Sequence, residues 1–278
     1  MLERVSALTG ARAARITERV QSLWSGYGEI VRVALDGGIA PTAIVKHVQP
    51  PATRNSISDA RKRRSYEVEQ RFYRDFAPRC EVRVAALYGS DVAAGEWLFV
   101  LEDLDAAGFV DRHDDARGSA LEACLAWLAG FHARFLGDPG EGLWPVGTYW
   151  HLATRRDELP AIKDRYLRSH ADEIDARLSA ARFQTILHGD PKEANFCFGR
   201  DRVAAVDFQY AGRGCAMRDV AYLLHGHGDA RAHLDTYFGH LSTALAPELA
   251  AAVEAEWRGL YDDARLDFER FLAGWQRG

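Results

Sequence analysis

Cysteine is scarce in this sequence: Cys80, Cys124, Cys197 and Cys215 are the only four among 278 residues. None forms a C-x-x-C pair, and each sits in apolar or mixed surroundings where a reduced thiol acts as a small hydrophobe, so a reducing, cytoplasmic setting is expected. No uninterrupted apolar run nears the roughly 18 residues of a membrane span, and charges repeat through Arg19, so neither a signal peptide nor an anchor is expected. An excess of positive charge is missing too. With 35 Lys+Arg against 40 Asp+Glu the formal net charge is -5, which leaves no field for gathering a phosphate backbone and argues against a nucleic-acid binder. Internal repeats, low-complexity tracts and Pro/Ser-rich linkers are also lacking, so any lobes should be packed together rather than tethered. What the chain does have is 47% hydrophobic residues, enough to bury a core without a staple, as one large domain or two lobes.

Up to about residue 100 the pattern is short and strand-like. β-branched runs at Ile30 to Leu35 and Ala43 to Val48 are separated by Asp36-Gly37-Gly38, a hairpin-type turn signal, and predict an antiparallel sheet. One helix interrupts it, from Asp59 to Phe76, which Ser58 or Asp59 can cap and Ala77-Pro78 can stop. After Trp97 to Leu101 and the acidic Glu102-Asp103-Leu104-Asp105, helical periodicity takes over: Leu121, Leu125, Leu128, His132 and Phe135 share a stripe. The second half should hold a helix at roughly 116 to 136, an aromatic loop with Trp144, Tyr149 and Trp150, and helices from about 155 to 181. Two brief β-like runs, Phe183 to Leu187 and Val203 to Val206, lie within it.

The chemistry sits at the ends of those two runs, where loops commonly carry function. The first is followed by His188-Gly189-Asp190-Pro191-Lys192-Glu193-Ala194-Asn195, and Asp207 follows the second. Phosphoryl transfer needs a carboxylate that orients the acceptor hydroxyl and takes its proton, and oxygen ligands that hold magnesium on the phosphates. Asp190 suits the first task, and Asn195 and Asp207 suit the second. Lys192 is placed to neutralise charge on the transferring group.

His188-x-Asp190-x-Lys192-x-x-Asn195 with Val206-Asp207-Phe208 resembles the catalytic and metal-binding loops of the eukaryotic-type kinase fold. Gly189 is the variant of its small-molecule branch, the aminoglycoside phosphotransferases, choline kinases and ecdysteroid-kinase-like enzymes. Phe99-Val100-Leu101-Glu102-Asp103-Leu104, Glu69-x-x-Phe72-Tyr73 and Val206-Asp207-Phe208-Gln209 are most similar to the ecdysteroid-kinase-like (CHK-like) group. The resemblance covers roughly residues 20 to 225. It implies an α+β, bilobal protein-kinase-like fold: an N-lobe over 1–101 with a sheet and a helix, a hinge at 102–105, and a mainly helical C-lobe over 106–278. ATP and Mg²⁺ would be the cofactors.

Such a kinase also needs a strand lysine for the α/β-phosphates and a helix carboxylate that holds it. Lys46, in Ala43-Ile44-Val45-Lys46-His47-Val48, resembles the first. Glu67 and Glu69 both lie on the helix, about 200° apart, so only one can face the sheet. Glu69 shares its stripe with Phe72, Tyr73 and Phe76, and a carboxylate on an apolar stripe requires a partner. Glu69 is therefore assigned to Lys46. The nucleotide loop is read at Ser25, Gly26 and Gly28, although a plain hairpin turn explains those glycines equally well. Glu102 to Leu104 would be the hinge whose backbone meets adenine, or else an acidic linker only.

Other features are given plainer readings. His132 is read as a core histidine hydrogen-bonded near the catalytic loop. His225 and His227 lack further ligands at metal spacing. Arg61-Lys62-Arg63-Arg64 is read as a solvated helix start, and Pro247 as the opening of a further helix rather than part of an activation segment. Trp257, Leu260, Tyr261, Phe268, Phe271, Leu272 and Trp275 recur at helical intervals, as core residues do. Gln209 in place of glycine, Gly189 in place of arginine and the lack of a Ser/Thr-rich segment favour a small acceptor over a peptide. If some of the second-half rings face the cleft, an apolar or ring-containing alcohol fits better than a polycationic aminoglycoside, whose capture would call for a denser acidic surface. The competing readings are a nucleotide-binding pseudokinase or ligand-sensing module and, less favoured, a protein kinase.

Overall fold

β-branched runs and turn-forming loops build the first half around a five-stranded antiparallel sheet, in the order β1-β2-β3-β5-β4. Its strands are β1 (Ala13–Ser22), β2 (Gly28–Asp36), β3 (Thr42–Val48), β4 (Leu87–Ala93) and β5 (Glu96–Glu102). The computed structural model describes residues 1–23, 26–51, 57–200, 202–228 and 230–275. β3 is the middle strand, and Lys46 on it pairs with Ile30 on one side and Phe99 on the other. β1 is an exposed edge carrying Arg15, Glu18 and Arg19, charges of the kind that discourage edge-to-edge association.

One sheet face packs under a short helix that periodicity in the first hundred residues did not predict, α1 (Leu2–Thr9). Val5 joins Val31, Val33, Ala43, Val45, Leu98 and Val100 in a closed cluster, so the helix forms because the sheet offers its apolar side chains a face. The opposite face carries Val48, Trp97, Phe99 and Leu101 into a core shared with the second half. α2 (Ile57–Arg71) lies on that face.

α2 departs from expectation at both ends. It begins at Ile57, so Ser58 and Asp59 lie inside it and cannot be its cap. Asp59 instead accepts hydrogen bonds from Arg63, at 2.9 Å, and from the Tyr27 hydroxyl. After Arg71 the helix widens into a π turn (Phe72–Phe76) and then a 3-10 turn (Ala77–Arg79) containing Pro78, which cannot continue the hydrogen-bond ladder.

The second half contains α3 (Ser119–Arg134), α4 (Arg165–Ser179), α5 (Met217–Leu223), α6 (Ala230–Ala244) and α7 (Pro247–Gly274). α4 starts later than its periodicity suggests because Asp164 caps it, accepting from the Leu167 amide at 3.1 Å. The stretch before it forms only 3-10 turns at Leu152–Thr154 and Leu159–Ala161. Pro247 opens α7 at its first turn. Two small antiparallel strand pairs stand between α4 and α5: β6 (Thr185–Leu187) pairs with β9 (Gly212–Gly214), and β7 (Phe196–Phe198) with β8 (Val203–Ala205).

The halves are joined through aromatic packing. Phe72 from the π turn after α2 stacks on Phe208 with ring centroids 3.8 Å apart, and Phe131 of α3 packs beside both. Each such buried side chain contributes about 1.5–3 kcal/mol. Among the described residues no helix is long and apolar enough to cross a membrane.

Candidate active site

The β7–β8 hairpin decides where the site forms. Phe196 pairs with Ala205, and the Val206 amide donates to the Asn195 carbonyl at 3.0 Å, so Asn195 and Asp207 emerge at the same end. Asp207 takes a left-handed backbone, φ 68°, a conformation uncommon outside glycine and concentrated at functional sites. Its Oδ1 accepts from Lys46 Nζ at 3.0 Å and from Gln209 Nε2 at 2.6 Å.

Lys46 therefore spans the two halves. Its ammonium lies 2.8 Å from Glu69 as well, whereas Glu67 sits on an exposed face and pairs with Arg64. Burial acts against the charge on Lys46, but Asp207 and Glu69 together outweigh it and hold its pKa above the ordinary value. Burial likewise opposes the Asp207 charge, yet Lys46 and the hydrogen bonds keep its carboxyl below the usual range.

The catalytic-type loop is held from below. Gly189 has φ 83°, and a Cβ there would lie 2.1 Å from the Tyr210 carbonyl, so only glycine fits. Asp219, on α5, is fully buried and accepts from the amides of His188 and Gly189 at 2.6 and 3.1 Å. His132 lies 3.2 Å from the same carboxylate and 2.8 Å from the Tyr237 hydroxyl. His188 bonds the Val206 carbonyl through Nε2, and burial depresses its pKa.

Asp190 is buried between three partners. Oδ1 accepts from the Tyr222 hydroxyl at 3.0 Å, and Oδ2 from Asn195 Nδ2 at 3.1 Å, with Lys192 Nζ 3.4 Å away. Burial dominates these contacts and pushes the carboxyl up to about 6. Because Asn195 directs its amide nitrogen toward Asp190, its oxygen is left as a neutral hard donor. With the Asp207 carboxylate it makes an oxygen set of the kind Mg²⁺ takes.

The remaining expected residues are more scattered. Gly26 and Gly28 both have positive φ, and a Cβ on Gly28 would stand 2.0 Å from the His47 carbonyl. That close approach of β2 to β3 requires glycine there for structural reasons alone. Ser25 lies outside the described residues. The Glu102 side chain turns to Arg83 and to the Ala86 amide at 3.0 Å, and Leu104 is buried with its carbonyl accepting from the Phe109 amide.

Two residues, Asp219 and Tyr222, had no sequence motif to reveal them, and the motif that contains Gln209 did not show its contacts. Asp219 supports the loop, Tyr222 touches Asp190, and Gln209 bridges Asp207 to Ser65 of α2, whose hydroxyl donates to it at 3.2 Å. Two plain readings also change. Asp115, Glu193 and His227 come from three separate segments to within 4.8 Å of one another, a grouping that local histidine spacing could not show. The basic run on α2 is more than a solvated face: Arg61 donates to the Thr154 carbonyl, and Arg64 to the carbonyls of Gly142 and Leu143 at 3.0 and 3.2 Å.

Comparison with known proteins places this arrangement among relatives. The sequence model of a family described as "Phosphotransferase enzyme family" matches residues 20–268. No curated protein sequence matches the chain. Among solved structures, an aminoglycoside-3'-phosphotransferase of type VIII superposes with TM-score 0.53 at 18% identity, over 97% of this chain and 98% of its own. The choline kinase LicA from Streptococcus pneumoniae gives 0.54 at 13% identity, over 98% and 96%. An amicoumacin kinase, hAmiN, solved in complex with AMP-PNP and Ca²⁺, gives 0.54 at 14%, over 96% and 84%. At these identities the likeness is one of fold, the α+β kinase-like architecture.

Proposed function

The chain belongs to the phosphotransferase enzyme family, and on that premise we propose that it is an ATP- and magnesium-dependent kinase of a small-molecule hydroxyl. One observation carries the reading: Lys46, from the middle strand of the first half, bonds both Glu69 and the second half's Asp207, beside a loop that presents Asp190. Residues 1–101 form the nucleotide-side lobe, 102–105 the hinge and 106–278 the acceptor-side lobe. The nearest subgroup is the ecdysteroid-kinase-like one, on the motifs at 99–104 and 206–209.

Lys46, held by Glu69, positions the α/β-phosphates, with Gly26, Gly28 and the backbone of 102–104 around the nucleotide. Asn195 and Asp207 would hold magnesium, which when bound neutralises phosphate charge. Asp190 accepts the hydrogen bond of the acceptor hydroxyl, aligning its oxygen in line with the γ-phosphorus. As the new P–O bond forms and the bond to ADP breaks, the hydroxyl proton passes to Asp190. Lys192, half exposed and 3.4 Å from Asp190, is placed to follow the transferring charge.

The test is magnesium-dependent ATP consumption with a pooled library of alcohols, amino alcohols, sugars and sterols, beside a generic protein substrate. Asp190→Asn should lower turnover on the order of 10²–10⁴-fold while nucleotide still raises the melting temperature; equal turnover by variant and parent would remove Asp190 from its role. Because the carboxyl must be ionised to act and its pKa is raised to about 6, turnover should climb as pH rises through that value. Nucleotide-induced stabilisation with no turnover would point to the pseudokinase.

A further inference from the structure

The basic start of α2 and the aromatic loop of the second half line a cavity of about 280 Å³, just under the roughly 300–1,000 Å³ typical of ligand pockets. Three of its walls are cationic, Arg61, Lys62 and Arg155, and four are aromatic, Trp144, Tyr149, Tyr210 and Trp275. No carboxylate lines it among the described residues. The chain as a whole is acidic, so a concave surface whose charged side chains are all positive runs against the composition.

The cavity is next to the reacting group. The Tyr149 amide donates to the Gly189 carbonyl at 3.2 Å, and the Thr148 amide to the Tyr210 carbonyl at 3.2 Å. The Tyr149 ring meets Tyr222 edge-on, and the Tyr222 hydroxyl donates to Asp190 at 3.0 Å. Trp144 and Tyr210 lie nearly parallel, 17° apart, and offer flat faces.

The two guanidinium groups are fixed in place. Arg61 donates to the Thr154 carbonyl. Arg155 donates to the Tyr149 carbonyl at 2.9 Å and to Glu158 at 2.8 Å, and lies over the Phe271 ring. Burial first, and then the neighbouring charge of Arg155, lower the Arg61 pKa, with Asp157 and Glu158 opposing them only in part. Positive charge facing positive charge across a cavity is relieved by an anion, and a guanidinium fork matches a carboxylate or phosphate.

Building on the kinase reading, we propose that the acceptor is an anionic, ring-bearing alcohol: a carboxylate or phosphate ester at Arg61 and Arg155, a ring against Trp144, Tyr149 and Tyr210, and a hydroxyl toward Asp190. Cationic amino sugars and amino alcohols are disfavoured by the same walls. The acceptor class is thus set by charge, and the ring by size.

A matched series tests this with the full chain: 4-(hydroxymethyl)benzoate, 4-(hydroxymethyl)phenyl phosphate, neutral 4-(hydroxymethyl)benzamide and cationic 4-(hydroxymethyl)benzylamine. ADP release gives KM and kcat, and calorimetry gives binding without turnover. An anionic member should show a KM at least about tenfold below the amide, with the amine weakest; which anion wins separates carboxylate from phosphate. Arg61→Gln and, independently, Arg155→Gln should raise the anionic KM about tenfold and narrow that gap. Preference for the amide or amine, a KM unmoved by both variants, or no binding of either anion would overturn the proposal. Anion binding that weakens in Arg61→Gln without any ADP release would instead uphold the pocket and count against the kinase reading.

Discussion

Lys46 lies between Glu69 and Asp207, and Arg218 lies between Asp175 and Asp267. Both are buried cations flanked by two carboxylates, yet they differ in what surrounds them. Arg218 is locked within the second half: Asp267 is itself fully buried and also bonds Arg270, which donates to the Trp150 carbonyl at 2.9 Å. Lys46 joins the two halves, and one of its carboxylates, Asp207, keeps a third of its side chain exposed. A planar guanidinium fork suits a fixed joint, whereas an ammonium on a flexible stem can share itself with an arriving phosphate. One pair of carboxylates thus anchors, and the other can trade partners.

Three substitutions would break or sharpen that contrast. Arg218→Met takes away the guanidinium that fully buried Asp267 shares with half-buried Asp175 and should cost about 3–5 kcal/mol, read as a fall in melting temperature of roughly 6–20 °C. An unchanged melting temperature would make Arg218 no anchor. Lys46→Met should leave the fold nearly intact, at about 1–2 kcal/mol, because burial already pushes the Glu69 carboxyl up to about 7 and it can take a proton in place of its partner. ATP turnover should fall on the order of 10²–10³-fold. A melting temperature as low as that of Arg218→Met would erase the distinction.

The smallest effect is expected where α5 reaches from the anchored side to the reacting side. Tyr222 donates to Asp190 and favours its ionised form, so Tyr222→Phe should move the acid limb of the pH–rate profile upward, by less than about one pH unit. A limb that stays in place or moves downward would show that the hydroxyl does not tune the carboxylate.

The sequence made some of this readable because the signals were local. The interval from Asp190 to Asn195, the Asp207 that follows an apolar run, and Glu69 on an apolar helical stripe are patterns within one segment. Pro247 at the start of α7 is another. Asp219, Gln209 and Tyr222 escaped because their roles depend on which segments meet, and no periodicity carries that. α1 escaped because eight residues are too few to stand as a helix without the sheet beneath them. The basic run at 61–64 was misread for the same reason: a charge pattern on a helix cannot show that carbonyls and guanidinium groups of a distant loop lie opposite.

α2 carries Arg61 near one end and Glu69 near the other, eight positions and about 12 Å apart along a single rod. A displacement of that rod would be felt at both stations at once: pulled back, it would loosen the lysine of the sheet and widen the chamber beside Thr154 in the same stroke. The two substrates would then report on each other's presence through the helix as well as at the reacting atoms, and their affinities would rise or fall as a pair.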